Sequence, residues 1–301
     1  DVLDFPRDIQ PILDRRCVRC HDWDRPAGAT KPEEGPRAGG VVLSGDRGPM
    51  YSFGYLGLVY RGQVADGRNR AQSNYPPRAL GSVASPLMKQ LGPEHYGVEA
   101  TPLERKTVRL WIERGAPYPG TYAAVYSGML GSYHENRLVR QDAGWPETQA
   151  LAGALQRRCV GCHGKGRELP FSASVHAFGG NVRYNLTRPE KSLMLLGPLA
   201  AKAGGYGSCR KPGPAGGGAG VFESREDPDY RTILAYGERA KRYLDETKRF
   251  DMPGFRPHEP WIREMKRYGI LPATLGPADP IDPYAVERRY LESLWYAPPA
   301  R

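Results

Sequence analysis

Two stretches of the chain share a seven-residue pattern: RRCVRCH from Arg15 to His21, and RRCVGCH from Arg157 to His163. Each contains Cys-x-x-Cys-His, the spacing by which a c-type haem is attached. Cysteines three positions apart stand one helical turn apart on one face, so both thiols can add to the vinyl groups of one porphyrin. The histidine that follows faces the same ring and supplies an iron ligand. Cys17, Cys20, Cys159 and Cys162 are thus the expected covalent attachment points of two haems, with His21 and His163 as proximal ligands. Together the four cysteines could also make a zinc site, but zinc ribbons hold their pairs roughly 15–20 residues apart. Here the pairs are much farther apart. A thioredoxin-like redox pair needs a strand ahead of it, and none is visible.

Each motif must be positioned by what surrounds it. Ile9, Ile12 and Leu13 fall at helical spacing ahead of Cys17, as do Leu151 and Leu155 ahead of Cys159. TPLERKTVRLWIERGAP predicts a helix capped by Thr101, with Pro102 at its first position and Glu104 completing a capping box. DPDYRTILAYGERAK predicts its counterpart, capped by Asp227 and led by Pro228. Leu103, Val108, Leu110 and Trp111 form the apolar side of the first, and Tyr230, Leu234 and Tyr236 that of the second. A leading helix, a haem motif, a long loop-rich middle and a closing amphipathic helix resemble the class I cytochrome c fold. The expectation is a mainly α chain with domain 1 over 1–125, domain 2 over 126–250 and an extension over 251–301. That extension, absent from the first repeat, is expected to pack on domain 2 or a neighbouring subunit. Its last helix carries an apolar stripe of Val286, Tyr290, Leu291 and Leu294, which is expected to face a core.

The group opposite each proximal histidine separates a carrier from a catalyst, because two strong ligands fill the iron and an open position admits substrate. Outside the motifs the histidines are His95, His134, His176 and His258. His95, in LGPEHYGVEATPLE, precedes the first closing helix, where a class I cytochrome brings its distal ligand; it is assigned to the first iron, with Met88 in reserve. For the second iron His258 is chosen, with His176, Cys209 and Met252 as alternatives.

The totals fit this picture. A chain of 301 residues is long enough for two domains. With hydrophobic content at 40%, Gly 37 and Pro 29, turns are many and the protein core thin, and a haem adds a large apolar surface. No apolar stretch is long enough to span a membrane. Haem c is attached outside the cytosol, so Asp1 is read as a processed N-terminus and the protein as exported, to the periplasm or the cell surface. A net charge of +10 falls to roughly +6 once four haem propionates are counted, so some arginines are expected to pair with propionates. The basic residues are scattered, without the aromatic–basic platforms of nucleic-acid binding. Five cysteines leave Cys209 without a disulfide partner.

DIQPILDRRCVRCH, RLWIERGAPYPGTYA, YNLTRPEKS, PLAAKAGGYGSC and RFDMPGFRP together resemble dihaem cytochromes related to the haem-bearing part of the hydrazine synthase alpha subunit. The resemblance spans most of residues 1–275 and implies two c-type haems in cytochrome c-like domains of an exported protein. In that enzyme a tyrosine four residues past the first motif histidine binds iron; here the position holds Arg25, and the enzyme's propeller domain is absent. The resemblance therefore implies haem binding and not hydrazine chemistry.

The expected function is electron transfer between redox protein partners. Its extension is a head-to-tail homopolymer that conducts along a filament, suggested by the proline-rich end at Pro298 and Pro299. The competing classes are a dihaem oxidoreductase with one open iron, acting on peroxide or small nitrogen compounds, and a haem module of a larger complex.

Overall fold

Phe5–Ile9 forms one wide helical turn, capped by the Asp4 side chain accepting from the Arg7 N–H, and runs directly into helix α1 (Gln10–Arg16). The burial is what the spacing requires: Phe5, Ile9, Ile12 and Leu13 are all inside. After α1 come α2 (Phe53–Tyr60), α3 (Leu87–Gln90), α4 (Pro102–Glu113), α5 (Pro146–Arg158), α6 (Val160–His163), α7 (Gly180–Arg183), α8 (Leu193–Leu196), α9 (Pro228–Thr247), α10 (Glu259–Arg267) and α11 (Pro283–Ser293). The computed structural model describes residues 3–24, 38–68, 74–124, 142–164, 174–175, 179–209 and 220–295. Among these the chain is mainly helical, with no strand and two isolated bridges, Arg47 with Ser52 and Leu199 with Phe222.

The chain divides into two units. Unit 1 comprises Asp1–Ser44, Gly57–Gly128 and Thr247–Arg301; unit 2 comprises Gly45–Leu56 and Met129–Glu246. Two segments therefore depart from the boundaries at 125 and 250. The extension belongs to unit 1, not to the unit of the second motif, because α10 and α11 bury Trp261, Ile262, Met265 and Val286 in one cluster with Ala123. Thr121 also donates to Glu287 at 3.0 Å, and Arg7 lies 4.1 Å over the Tyr284 ring. Residues 45–56 belong to unit 2, where Asp46 accepts from Asn185 at 2.6 Å and from Arg188 at 2.8 Å. The α11 stripe is only half inside: Val286 is buried, whereas Leu294 is 63% exposed.

Each unit locks its motif helix to its closing helix in the same way. In unit 1 Phe5 meets Trp111 of α4 with ring centroids 5.5 Å apart; in unit 2 Trp145, at the start of α5, meets Tyr236 of α9 at 6.0 Å. The capping box of α4 forms as expected between Thr101 and Glu104, and Asp227 accepts from the Asp229 N–H to cap α9. The repeated arginines now have a role. Arg15 and Arg16 both bind Glu104, at 3.1 and 3.0 Å. Arg157 and Arg158 both bind Asp229, and Arg158 also reaches Asp227. At both motifs the paired arginines bind carboxylates at the start of the closing helices.

Partial burial alone would raise Glu104, but the Thr101 N–H and the Arg16 and Arg15 guanidiniums outweigh it and hold the carboxyl below its usual range. Hydrogen bonds from Arg157 and Arg158 do the same for Asp229. A depressed folded-state pKa means that each clamp is at full strength above the ordinary carboxylate value, near 4, and is lost as pH falls through the folded value. Replacing Glu104 by alanine removes half a capping box and two ion pairs at once. We expect a loss of about 1–2 kcal/mol in urea unfolding at neutral pH, shrinking as the pH is lowered below about 4.

Candidate functional site

The first motif continues α1 by one more turn. Cys17 N–H donates to the Leu13 carbonyl at 2.7 Å, and Cys20 and His21 N–H both donate to the Cys17 carbonyl, at 3.1 and 3.0 Å. Both cysteines lie half-buried on this turn. The His21 backbone is then pinned by the Leu43 N–H at 2.7 Å, and its ring Nδ1 is 2.9 Å from the Ala38 carbonyl. A carbonyl accepts only, so in the neutral ring Nδ1 carries the proton. Burial lowers the pKa of His21, partly offset by the Ala38 and Val41 carbonyls, with nearby His95 lowering it further.

The ring facing His21 is His95. The two centroids are 6.1 Å apart and the planes differ by 7°. With metal–imidazole bonds of about 2.0 Å, an ion held between two end-on imidazoles sets the centroids roughly 6.3 Å apart. The spacing is compatible with two imidazoles that would hold one metal ion between them. His95 is presented by a run of turns between α3 and α4: its N–H donates to the Gly92 carbonyl at 3.0 Å, and its carbonyl accepts from Val98 at 3.0 Å. Immediately after it, Tyr96 at φ 50 and Gly97 at φ 75 both take left-handed backbone. For a bulky residue such as Tyr96 that conformation costs of order 1 kcal/mol, a strain that accumulates at functional sites. Met88, the reserve ligand, lies half-buried on α3.

In unit 2, Cys159 leads α6, and Cys162 and His163 sit exposed on it. Burial pushes the Cys159 thiol up to about 11 and its counterpart Cys17 up to about 12. Among the described residues no group of three or more His, Cys, Asp or Glu is arranged to hold a metal ion, and no ring contacts His163. A haem needs no such cluster from the chain, only two thiols and an axial donor.

Of the groups considered for the second iron, His258 caps α10 in unit 1, outside the unit of the second motif. Met252 is in unit 1 too, its sulfur accepting from the Arg249 N–H at 3.4 Å. Cys209 lies in unit 2, close enough to Cys159 and Cys162 for its charge to act on the first and to be acted on by the second. His134, His176, Arg25, Pro298 and Pro299 lie outside the described residues. What the sequence did not reveal was the Ala38 carbonyl, a backbone acceptor with no side-chain signature. Comparison with protein-family models, curated proteins and solved structures gives no match to this chain.

Proposed function

We propose that the chain is a dihaem c-type cytochrome that transfers electrons. The observation that carries this is the facing of His21 by His95 beside Cys17 and Cys20, in a unit whose motif is repeated at Cys159–His163. The matching contacts of the leading segment with the closing helix in each unit, Phe5 with Trp111 and Trp145 with Tyr236, support cytochrome c-like domains. Bound haem would supply a one-electron iron couple. The chain's part would be to tether it through two thiols per motif, to fix the His21 tautomer through Ala38, and to hold the first iron with His21 and His95 so that little rearranges on electron transfer. Covalent tethering suits an exported protein, and among the described residues no helix is long and apolar enough to cross a membrane.

A second reading starts from His163, which is exposed on α6. A dihaem oxidoreductase would use an open second iron on peroxide or a small nitrogen compound. The visible spectrum of the reduced protein, before and after carbon monoxide, decides. The carrier gives sharp alpha bands that do not change; a shift on about half the haem makes unit 2 the catalytic centre. Polymerisation is the extension of the carrier reading, and exposed Leu294 and Trp295 after α11 offer it an apolar surface. Sedimentation as a monomer at all concentrations rejects the filament.

A further inference from the structure

We propose that unit 2 contains a route for single oxidising equivalents, running from the second motif across Tyr184, Tyr236 and Trp145 to Tyr243. It rests on haem attachment at Cys159 and Cys162 and on the second reading above, in which the second iron is open, and its task is to drain that site when peroxide reaches it. Tyr184 is 1% exposed and belongs to the same unit as Cys159. From Tyr184 the ring centroids step 5.4 Å to Tyr236, 6.0 Å to Trp145 and 5.5 Å to half-buried Tyr243. Every ring in the series is phenol or indole, the two side chains that yield an electron most readily.

The middle ring carries what a buried phenol needs to be oxidised, a place for its proton. Tyr236 is fully buried, donates to Asp142 Oδ2 at 2.8 Å and accepts from the Val175 N–H at 2.7 Å. Ser174 donates to the same Asp142 oxygen at 2.6 Å, which holds the carboxylate in line. At the far end Arg239 lies 4.5 Å over Trp145. Its charge disfavours a lasting cation on the indole and passes the vacancy to Tyr243, which loses a proton on oxidation and stays neutral.

Packing alone does not require these residue types. At the same helix crossing in unit 1, Phe5 sits between Trp111 at 5.5 Å and Tyr118 at 6.0 Å, and Tyr118 abuts Phe250 at 5.5 Å. Phenylalanine is not oxidised under these conditions, so the unit 1 cluster is interrupted where the unit 2 cluster is continuous.

The chemistry balances in single-electron steps. Peroxide going to two waters takes two electrons and two protons. For each electron, Tyr236 gives one up across Tyr184 while its phenolic proton moves to Asp142 Oδ2. Trp145, and then Tyr243, returns an electron to Tyr236 as Asp142 returns the proton. Tyr243 releases its own proton to water and is restored by an electron from a soluble one-electron reductant and a proton from water, which also supplies the protons that peroxide takes up; the second electron then follows.

The test uses holoprotein mixed with hydrogen peroxide, freeze-quenched for electron paramagnetic resonance and digested for mass spectrometry, with haem counted in the same samples. We expect a protein radical and oxidised product at Tyr243 or Trp145. Tyr236→Phe and Asp142→Asn should each lower the radical yield about 100-fold, the lower range of what a positioned proton acceptor contributes. Tyr243→Phe, at a half-buried ring, keeps the test open if the buried variants do not fold: it should confine the product to Trp145. Two haems per chain with an unchanged yield in all three variants would overturn the route alone. Absence of haem from Cys159 and Cys162 would overturn the attachment and the route together.

Discussion

Replacing His95 by alanine should leave the haem content unchanged and open one additional iron to carbon monoxide. The haem in unit 1 would still be held by Cys17, Cys20 and His21, so attachment survives the loss of a distal ligand. What changes is the sixth coordination position, because the His95 imidazole is the ring brought parallel to His21 at 6.1 Å. Histidine→methionine at the same position is the informative companion. It should keep the iron six-coordinate and silent to carbon monoxide while raising the reduction potential, since Met/His ligation favours the reduced state. Axial-ligand choices span about 0.8 V among haem proteins, so the shift is measurable by titration. A His95→Ala protein as inert to carbon monoxide as the unaltered chain would move the ligand elsewhere, with Met88 first in line.

The largest expected loss of stability lies outside the site, at Asp251. Arg249 is fully buried, and its guanidinium donates to both oxygens of Asp251, at 2.7 and 2.8 Å. Tyr118 donates to the same carboxylate at 2.9 Å, packs its ring against Phe250 at 5.5 Å and lies under the Arg249 guanidinium. This corner joins the start of the extension to the segment after α4. Removing the carboxylate alone leaves a charge buried without its counter-ion, which costs about 3–5 kcal/mol. Asp251→Ala should therefore lower the urea midpoint of unit 1 sharply. Combining it with Arg249→Met should recover part of the loss, because two apolar groups of similar volume leave no charge behind. If the double variant is no more stable than Asp251→Ala, the ion pair is not the source of the effect.

The legible part of the fold was the local part. Ile9, Ile12 and Leu13 announced a buried face by spacing alone, and Thr101, Pro102 and Glu104 announced a helix start that the structure reproduces with both capping-box bonds. His95 was legible by position, just ahead of α4, and the structure sets it opposite His21. The repeated arginines were visible, but their partners were not: Arg15 reaches Glu104 across 89 positions, and Arg157 reaches Asp229 across 72. Charge pairs at that separation leave no periodic trace. The same holds for the extension, where Thr121 and Glu287 meet across 166 positions, and for residues 45–56, where Asp46 meets Arg188 across 142. His258 was assigned to the second iron because sequence order places it after domain 2; it stands at the start of α10, whose apolar face packs into the cluster around Ala123. Leu103 was read as part of an apolar side and is 72% exposed, since Val108, Trp111 and Ile112 already fill the crossing.

The most direct test is the intact mass of the holoprotein after denaturation and extraction of non-covalent haem, from cells that export it through a haem-attachment pathway. The expected result is the chain plus two haems, with a single alkylatable thiol, at Cys209, because Cys17, Cys20, Cys159 and Cys162 are thioethers. A bare chain with all five cysteines alkylatable would contradict the account at its base, leaving the facing of His21 and His95 to be explained by something other than haem iron.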